Sequence, residues 1–432
     1  MRAKEIVVLI LIIGAGIIFY HAQTGKLHID WDIEDHIYFS LEEYISEESQ
    51  EIQPPFPALI EIDNSHGDIE IHGTEEEKIT VRFQKVIWRK NEEKAKEVSD
   101  KLRMIVNRDA DKITLSTNRD EFKRKNFETN FRISLPQGTD IRLRNSYGLV
   151  QISKTGNTNI YNRYGKVITS RINGELSIQN SYRDVEVRDV QLDCKIDSKY
   201  SKVTVEDVRG ETRIDHRNGK VRLENISQKV EVYGDYTEIF GQNLTGTSEF
   251  ETSYRKITLY EIGPTKIKGS HSYVEVDGAK GNLEILNKYN KVNLNNIQGN
   301  LKVEGKSLAV YGKTIIGESI AVSSSYRDVE LIEFSGKTTL ILSHGKAVLE
   351  PSQLTHPIEV QGSYSDINLS WPLGGKYPFE AQAKGGKIKW DLPDELSSQQ
   401  ENGVTIIKAF LQETGNPSIF LSTSYGTIRV EQ

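Results

Sequence analysis

The chain has 432 residues, with 55 Lys and Arg against 62 Asp and Glu, 33 Gly, 19 Tyr, two Met and one Cys. That length exceeds what one hydrophobic core usually supports, so several domains or a repeat array are expected. A net charge of −7 with no basic stripe excludes a nucleic-acid binder, and a lone Cys excludes an internal disulfide.

Residues 1–22 carry Arg2 and Lys4 and then an unbroken apolar run from Ile6 to Tyr20. The run is short for a full span, but Tyr20-His21-Ala22 puts a bulky ring where a cleavable signal wants a small residue, so an uncleaved transmembrane anchor is expected through residues 6–20. No Lys or Arg falls between Lys26 and Lys78, which places the N-terminus in the cytoplasm and the bulk of the chain outside it. Residues 23–58 are dense in carboxylates, among them Asp30, Asp32, Glu42, Glu43, Glu47, Glu48 and Glu51, and include PPFP. Their spacing matches no EF-hand, so a solvated acidic stalk is expected.

A repeat phrase first occurs as LIEIDNSHGDIEI at 59–71 and is then interrupted. Strand-like alternation in ITVRFQKVIW (79–88), helical spacing in NEEKAKEVSDKLRMIV (91–106) and a strand KITLST (112–117) predict a small α+β cap within 59–144 that protects an open sheet edge, with Trp88 in its core. FRISLPQGTDIRLRN (131–145) leads back into the repeat.

From residue 145 to 432 the phrase recurs, as in NSYRDVEV (180–187), SKYSKVTV (198–205) and TSYRKITL (252–259). Its ring falls at Tyr147, Tyr164, Tyr182, Tyr200, Tyr236, Tyr254, Tyr273, Tyr289, Tyr326, Tyr364 and Tyr425, with His66, Asn218, Ser307, His344 and Gly385 standing in elsewhere. The step is close to 18 residues over about fifteen copies, the signature of a solenoid. Three residues after the ring comes an apolar residue, and two further on often another, which is the period of a half-buried strand. A second alternation follows after a short break, as in GELSI (174–178). Each copy is therefore one coil of a parallel β-helix, right-handed by the usual rule for parallel connections. Outward positions two after the ring read Lys166, Asp184, Lys202, Lys220, Glu238, Lys256, Glu275, as in-register stacking would select. Asn or Ser two before the ring and Gly one after it read as corner residues. A polar stretch at 391–403 is expected to be a loop.

No phosphate loop, paired-Cys motif, HExxH or GxSxG is present. Cys194 alternates with Leu192 and Ile196 and reads as core. His216 and His271 occupy equivalent corners in this alignment, three coils apart, or about 14 Å, too far for one metal. No catalytic residue, cofactor or metal site is therefore expected. The row of Tyr rings could rigidify a corner by stacking, or offer a surface for a glycan or a protein, and these readings are compatible.

The anchor, the strand-helix-strand cap, the LPQGTDIRLRNSYGLVQI lead-in and the repeated YGxV corners together resemble the bacterial "putative adhesin" family of membrane-anchored β-helical proteins of unknown function, over residues 57–432. The resemblance implies an exported solenoid and brings no catalytic residues. The expectation is an all-β solenoid at the cell envelope with a non-catalytic structural, adhesive or ligand-binding role. A polysaccharide-cleaving β-helix enzyme and a sensor that docks a membrane partner are the alternatives.

Overall fold

The computed structural model describes residues 41–372, 375–393, 396–413 and 415–432. The expected anchor and residues 23–40 of the expected stalk lie outside these. Among the described residues no helix is long and apolar enough to cross a membrane. The chain is a parallel β-solenoid of about 13 coils with about 18 residues per turn and almost no helix. It divides after Gly174 into two compact units.

In the first unit, β1 (Glu42–Ile52), β2 (Leu59–Asp63), β3 (Ile69–Thr74) and β4 (Ile79–Arg89) precede helix α1 (Glu92–Lys101). They are followed by β5 (Met104–Arg108), β6 (Lys112–Thr117), β7 (Phe127–Pro136), β8 (Asp140–Arg144), β9 (Val150–Ser153), β10 (Thr158–Tyr161) and β11 (Val167–Ile172). Strands β2 and β3 are the two limbs of one coil. On one side they pair in parallel with β8 and β9, placing Ile60 on Ile141 and Ile69 on Val150. On the other side they pair in parallel with β6 and β7, placing Ile60 on Ile113 and Ile71 on Ile133. The insertion thus forms a layer beyond the first coil, although it follows that coil in sequence.

Two expectations are corrected here. Residues 42–52, read as solvated stalk, form β1, which pairs antiparallel with β4 along its whole length, from Glu42 opposite Arg89 to Ile52 opposite Ile79. Its carboxylates meet cations of the cap: Glu48 pairs with the buried Lys85, and Glu51 with Lys78 at 3.2 Å. The helix expected over 91–106 ends at Lys101. Asn91 caps its start by accepting the Lys94 N–H at 3.0 Å, and beyond Leu102 the chain becomes β5, paired antiparallel with β6. Trp88 is half-buried, while Phe83, Phe127 and Phe131 fill the interior.

In the second unit each coil has two limbs, such as Leu176–Ser181 with Val185–Val190, and Cys194–Lys199 with Lys202–Val208. Some limbs run through the corner as one strand, as in Thr212–Ile226 and Val230–Leu244. The register is constant: Val185, Val203, Val221, Ile239, Ile257, Val274, Val292, Val310 and Val329 stack in one buried row. Cys194 lies between Leu176 and Thr212 in a second row, and burial, reinforced by the Asp193 charge, pushes its thiol up to about 12. A thiol so placed stays protonated and inert.

The last copies are stacked out of chain order. The strand Ile358–Ser370 pairs with the final copy, Ile419–Ser424 and Thr427–Glu431. That copy in turn pairs on its far side with Phe379–Lys384 and Lys387–Trp390. The stretch 391–403, expected as a loop, contains the strand Ser397–Glu401, which forms a hairpin with Val404–Ala409 laid antiparallel against Phe379–Lys384. An antiparallel flap ends the parallel stack there, which removes an open edge. The about fifteen copies counted in the sequence correspond to about 13 coils in the structure.

Candidate functional site: the aromatic corner

In the second unit the ring residue of each copy stands at a sharp bend in left-handed backbone. Tyr182, Tyr200, Tyr236, Tyr254, Tyr289, Tyr326, Tyr364 and Tyr425 have φ between 52° and 67°, and Asn218, Ser307 and His344 occupy the same conformation at 59°, 49° and 58°. A side chain with a Cβ costs about 1–2 kcal/mol in that region. At successive corners the rings stack on one another. Tyr182 and Tyr200 lie 5.5 Å apart, and Tyr236 and Tyr254 lie 5.4 Å apart. Tyr326, His344, Tyr364 and Tyr425 follow at 4.8, 5.0 and 5.0 Å. Each pair contributes about 0.5–1.5 kcal/mol, enough to offset much of the backbone cost. The Tyr rings nevertheless remain exposed, Tyr200 at 54% and Tyr326 at 63%.

Within the first unit, His66, Tyr147 and Tyr164 stack at 4.5 and 4.7 Å. Here the next residue carries the unusual backbone, with φ of 135° at Gly67 and 118° at Gly148. A Cβ on Gly148 would lie 2.1 Å from the Gly67 carbonyl oxygen, so only glycine fits. Burial, reinforced by the charges of Arg119 and Lys125, lowers the His66 pKa to about 4, so this rung is a neutral ring at neutral pH.

Beneath the rings runs a buried polar row. Asn145 Nδ2 donates to the Gly67 and Tyr147 carbonyls at 3.1 and 3.0 Å, Asn162 to Gly165 at 2.9 Å, Asn180 to Arg183 at 2.8 Å and Asn287 to Ser272 at 2.7 Å. His216 belongs to this row. Its Nε2 donates to the Ser201 carbonyl at 3.1 Å, its Nδ1 accepts from Thr237 Oγ1 at 2.9 Å, and burial lowers its pKa. Outside the rings, Asp68, Asp184, Asp328 and Asp366 each accept a backbone N–H of the adjacent layer at 2.7–2.9 Å. Lys220 pairs with Glu238 at 3.2 Å and Lys256 with Glu275 at 2.7 Å in the same outer row. Among the described residues no group of three or more His, Cys, Asp or Glu is placed to hold a metal ion.

The profile of the Toastrack DUF4097 family matches residues 58–431. The chain belongs to that family. No curated protein matches it. Among solved structures, one described as a "putative cell adhesion protein" from Clostridium sporogenes aligns over 90% of this chain and 100% of its own, at 11% identity and a TM-score of 0.20. A score that low carries no argument.

Within this Toastrack chain one rung differs from its sequence alignment. Tyr273 is not in the ladder. His271 takes the corner with φ 61° and stacks on Tyr254 at 4.7 Å and on Tyr289 at 4.5 Å. The coil is a residue shorter there, and HSY offers two rings, of which the first meets the bend. Tyr273 instead lies beneath Lys256, and its hydroxyl accepts from Asn293 Nδ2 at 2.7 Å. His216 and His271, read as equivalent, are therefore a buried hydrogen-bonded residue and an exposed rung.

A second left-handed corner, seven residues after the first, was not read from the sequence. It holds Asp189, Asp207, Asn225, Asn243 and Glu261, with φ between 50° and 59°. Asn225 donates to Asp207 at 2.9 Å and Asn243 to Asn225 at 3.0 Å, forming an amide ladder. The signal was present in the 18-residue recurrence of Asp and Asn, the residues that best tolerate this backbone. Also unread was an aromatic cluster near the C-terminal end layer, where Trp371 lies 5.7 Å from Trp390, 5.8 Å from Phe379 and 5.6 Å from Phe410.

Proposed function

We propose that this chain is a non-catalytic binding or scaffolding solenoid of the bacterial cell envelope, anchored through residues 6–20 with the N-terminus in the cytoplasm and the coils outside it. The observation that carries the reading is the aromatic corner. At the neighbouring bend the same backbone is met most often by Asp and Asn, which adopt it more readily. Tyr and His recur at the first bend and leave a row of exposed ring edges and hydroxyls at a regular spacing, the kind of amphipathic ring surface that glycans and proteins bind. The apolar run Ile6–Tyr20 and the charge asymmetry around it support the anchor and its orientation.

The test is retention of the full-length chain, in detergent, on a panel of envelope polysaccharides and peptidoglycan, scored for both binding and new chain ends. Retention without cleavage, weakened by Tyr→Ala changes along the ladder, is expected. New chain ends would replace this reading with an envelope glycan-cleaving enzyme. Loss of a signalling output on changing residues 1–26, without glycan retention, would replace it with a sensor.

A further inference from the structure

The ladder of the second unit has an empty rung at Asn218. The backbone there is continuous with its neighbours: Arg217 pairs with Asp235 and Gly219 with Thr237 on one side, and Lys220 with Lys202 on the other. Asn218 has the same left-handed φ, 59°, as the Tyr corners. Only the ring is missing. Tyr200 stacks on Tyr182 and Tyr236 on Tyr254, which leaves one face of each turned toward the vacancy. Two coil steps separate these faces, about 9.6 Å at the usual strand spacing, or one ring more than van der Waals contact. The floor is rigid, because His216 beneath it is held by both Ser201 and Thr237.

Two further features meet at this rung. The Asn218 amide has no hydrogen-bond partner among the described residues, although both of its ends are strong hydrogen-bonding groups. On the outer face of the limbs that lead into these corners lies a recess of about 350 Å³, lined by Lys199, Asp215, Arg217, Tyr233, Asp235 and Glu251. Arg217 and Asp235 stand immediately before the empty rung and the next one, with Arg217 Nη2 3.7 Å from Asp235 Oδ2, a loose pair that a hydroxyl could bridge.

We infer that the Asn218 rung is a binding slot for a single pyranose ring of an oligosaccharide, sandwiched between Tyr200 and Tyr236, with its neighbouring sugar in the adjoining recess. The inference rests on the binding-surface reading above and names its ligand class. A pyranose has two apolar C–H faces and a rim of hydroxyls. The faces match the two phenol rings, and the rim matches the Asn218 amide and the forked charges of Arg217, Asp215 and Asp235. A phenyl ring would stack equally well but would leave the Asn218 amide without a partner. Ser307 makes a second vacancy in the ladder and serves as an internal control.

The experiment measures binding of full-length protein in detergent to defined oligosaccharides of two to four hexose or N-acetylhexosamine rings, by ligand-observed NMR and titration calorimetry. Asn218→Tyr closes the slot with the residue the fold already accepts at this bend, so its melting temperature should stay level or rise. The inference expects wild-type binding, at least a tenfold loss in N218Y, a loss of roughly fivefold in N218A, the effect of one hydrogen bond, and little change in S307Y. Absence of binding by the wild type would overturn it while leaving a protein partner open to the broader reading. Binding that survives in N218Y but falls with Tyr326→Ala would also overturn it, and would place the glycan along the ladder at large. A melting temperature that falls in N218Y is resolved by Tyr200→Leu and Tyr236→Leu, each of which must weaken binding for the slot to stand.

Discussion

Every regular coil of the second unit makes two left-handed bends seven residues apart, and the two meet the same backbone demand in different ways. The first uses Tyr or His, residues with little intrinsic tolerance for positive φ, and recovers the cost by stacking each ring on the next. The second most often uses Asp and Asn, with Glu261, Thr314 and Glu333 at other coils; Asp and Asn accept the bend locally and add side-chain hydrogen bonds between coils, as from Asn225 to Asp207. One bend is therefore stabilised collectively and leaves exposed rings. The other is stabilised residue by residue and leaves exposed amides and carboxylates. A fold that needed only to turn could have used the second solution twice.

The largest effect that would sharpen this contrast is expected beneath the first bend. His216→Leu removes one hydrogen bond from Thr237 Oγ1 and one from the Ser201 carbonyl, each of which keeps a second partner, and should cost about 2 kcal/mol, read as a lower midpoint in urea unfolding. At the rung itself, Tyr254→Ala loses the stacks on Tyr236 and His271 while keeping the strained backbone, and should cost about 1–2 kcal/mol. Tyr254→Gly, which relieves the strain, should recover part of that loss, and equal midpoints for the two variants would contradict the collective account.

Acid offers a third test, confined to a histidine rung. The His66 pKa is about 4 in the fold, below its ordinary 6.5, so folding favours the neutral ring. Its contribution is complete above about pH 6.5 and declines as pH falls toward 4, because the unfolded chain then binds the extra proton. His66→Tyr lacks that liability, and its melting temperature relative to wild type should rise as pH is lowered from 7 to 4.5. A constant difference would mean that His66 does not titrate this way. The smallest effect is expected at the second bend. Asn225→Gly should be nearly neutral, whereas Asn225→Ala, which loses both the tolerance and the Asp207 bond, should cost about 1 kcal/mol in the same urea series.

Much of this was legible because a solenoid repeats its instructions. The alternation around Val185, Val203 and Val221 and the 18-residue step define the coil, its buried faces and its parallel register without reference to anything distant. The outer row also read correctly as charge partners at Lys220–Glu238 and Lys256–Glu275, whereas Asp184 and Asp328 accept backbone N–H groups of the next coil. What failed to read has a common cause. Tyr273 was aligned by residue type, whereas the bend selects by position and took His271. The acidic row of β1 resembled a solvated stalk because its partners, Lys78 just before β4 and Lys85 on it, lie 27 and 37 residues away.

The amino-acid sequence by itself determined the architecture of the coils, since each needs only neighbours one period away, and it marked the aromatic corner by the same recurrence. The tertiary structure alone decided the ends, where β6 and β7 stack outside the first coil and the final copy is inserted between Ile358–Ser370 and Phe379–Trp390. It alone decided also that His271 and not Tyr273 fills its rung. The physical reason is that an end layer is defined by what remains unpaired after stacking, and a rung by where the backbone bends, and no local pattern of residues encodes either.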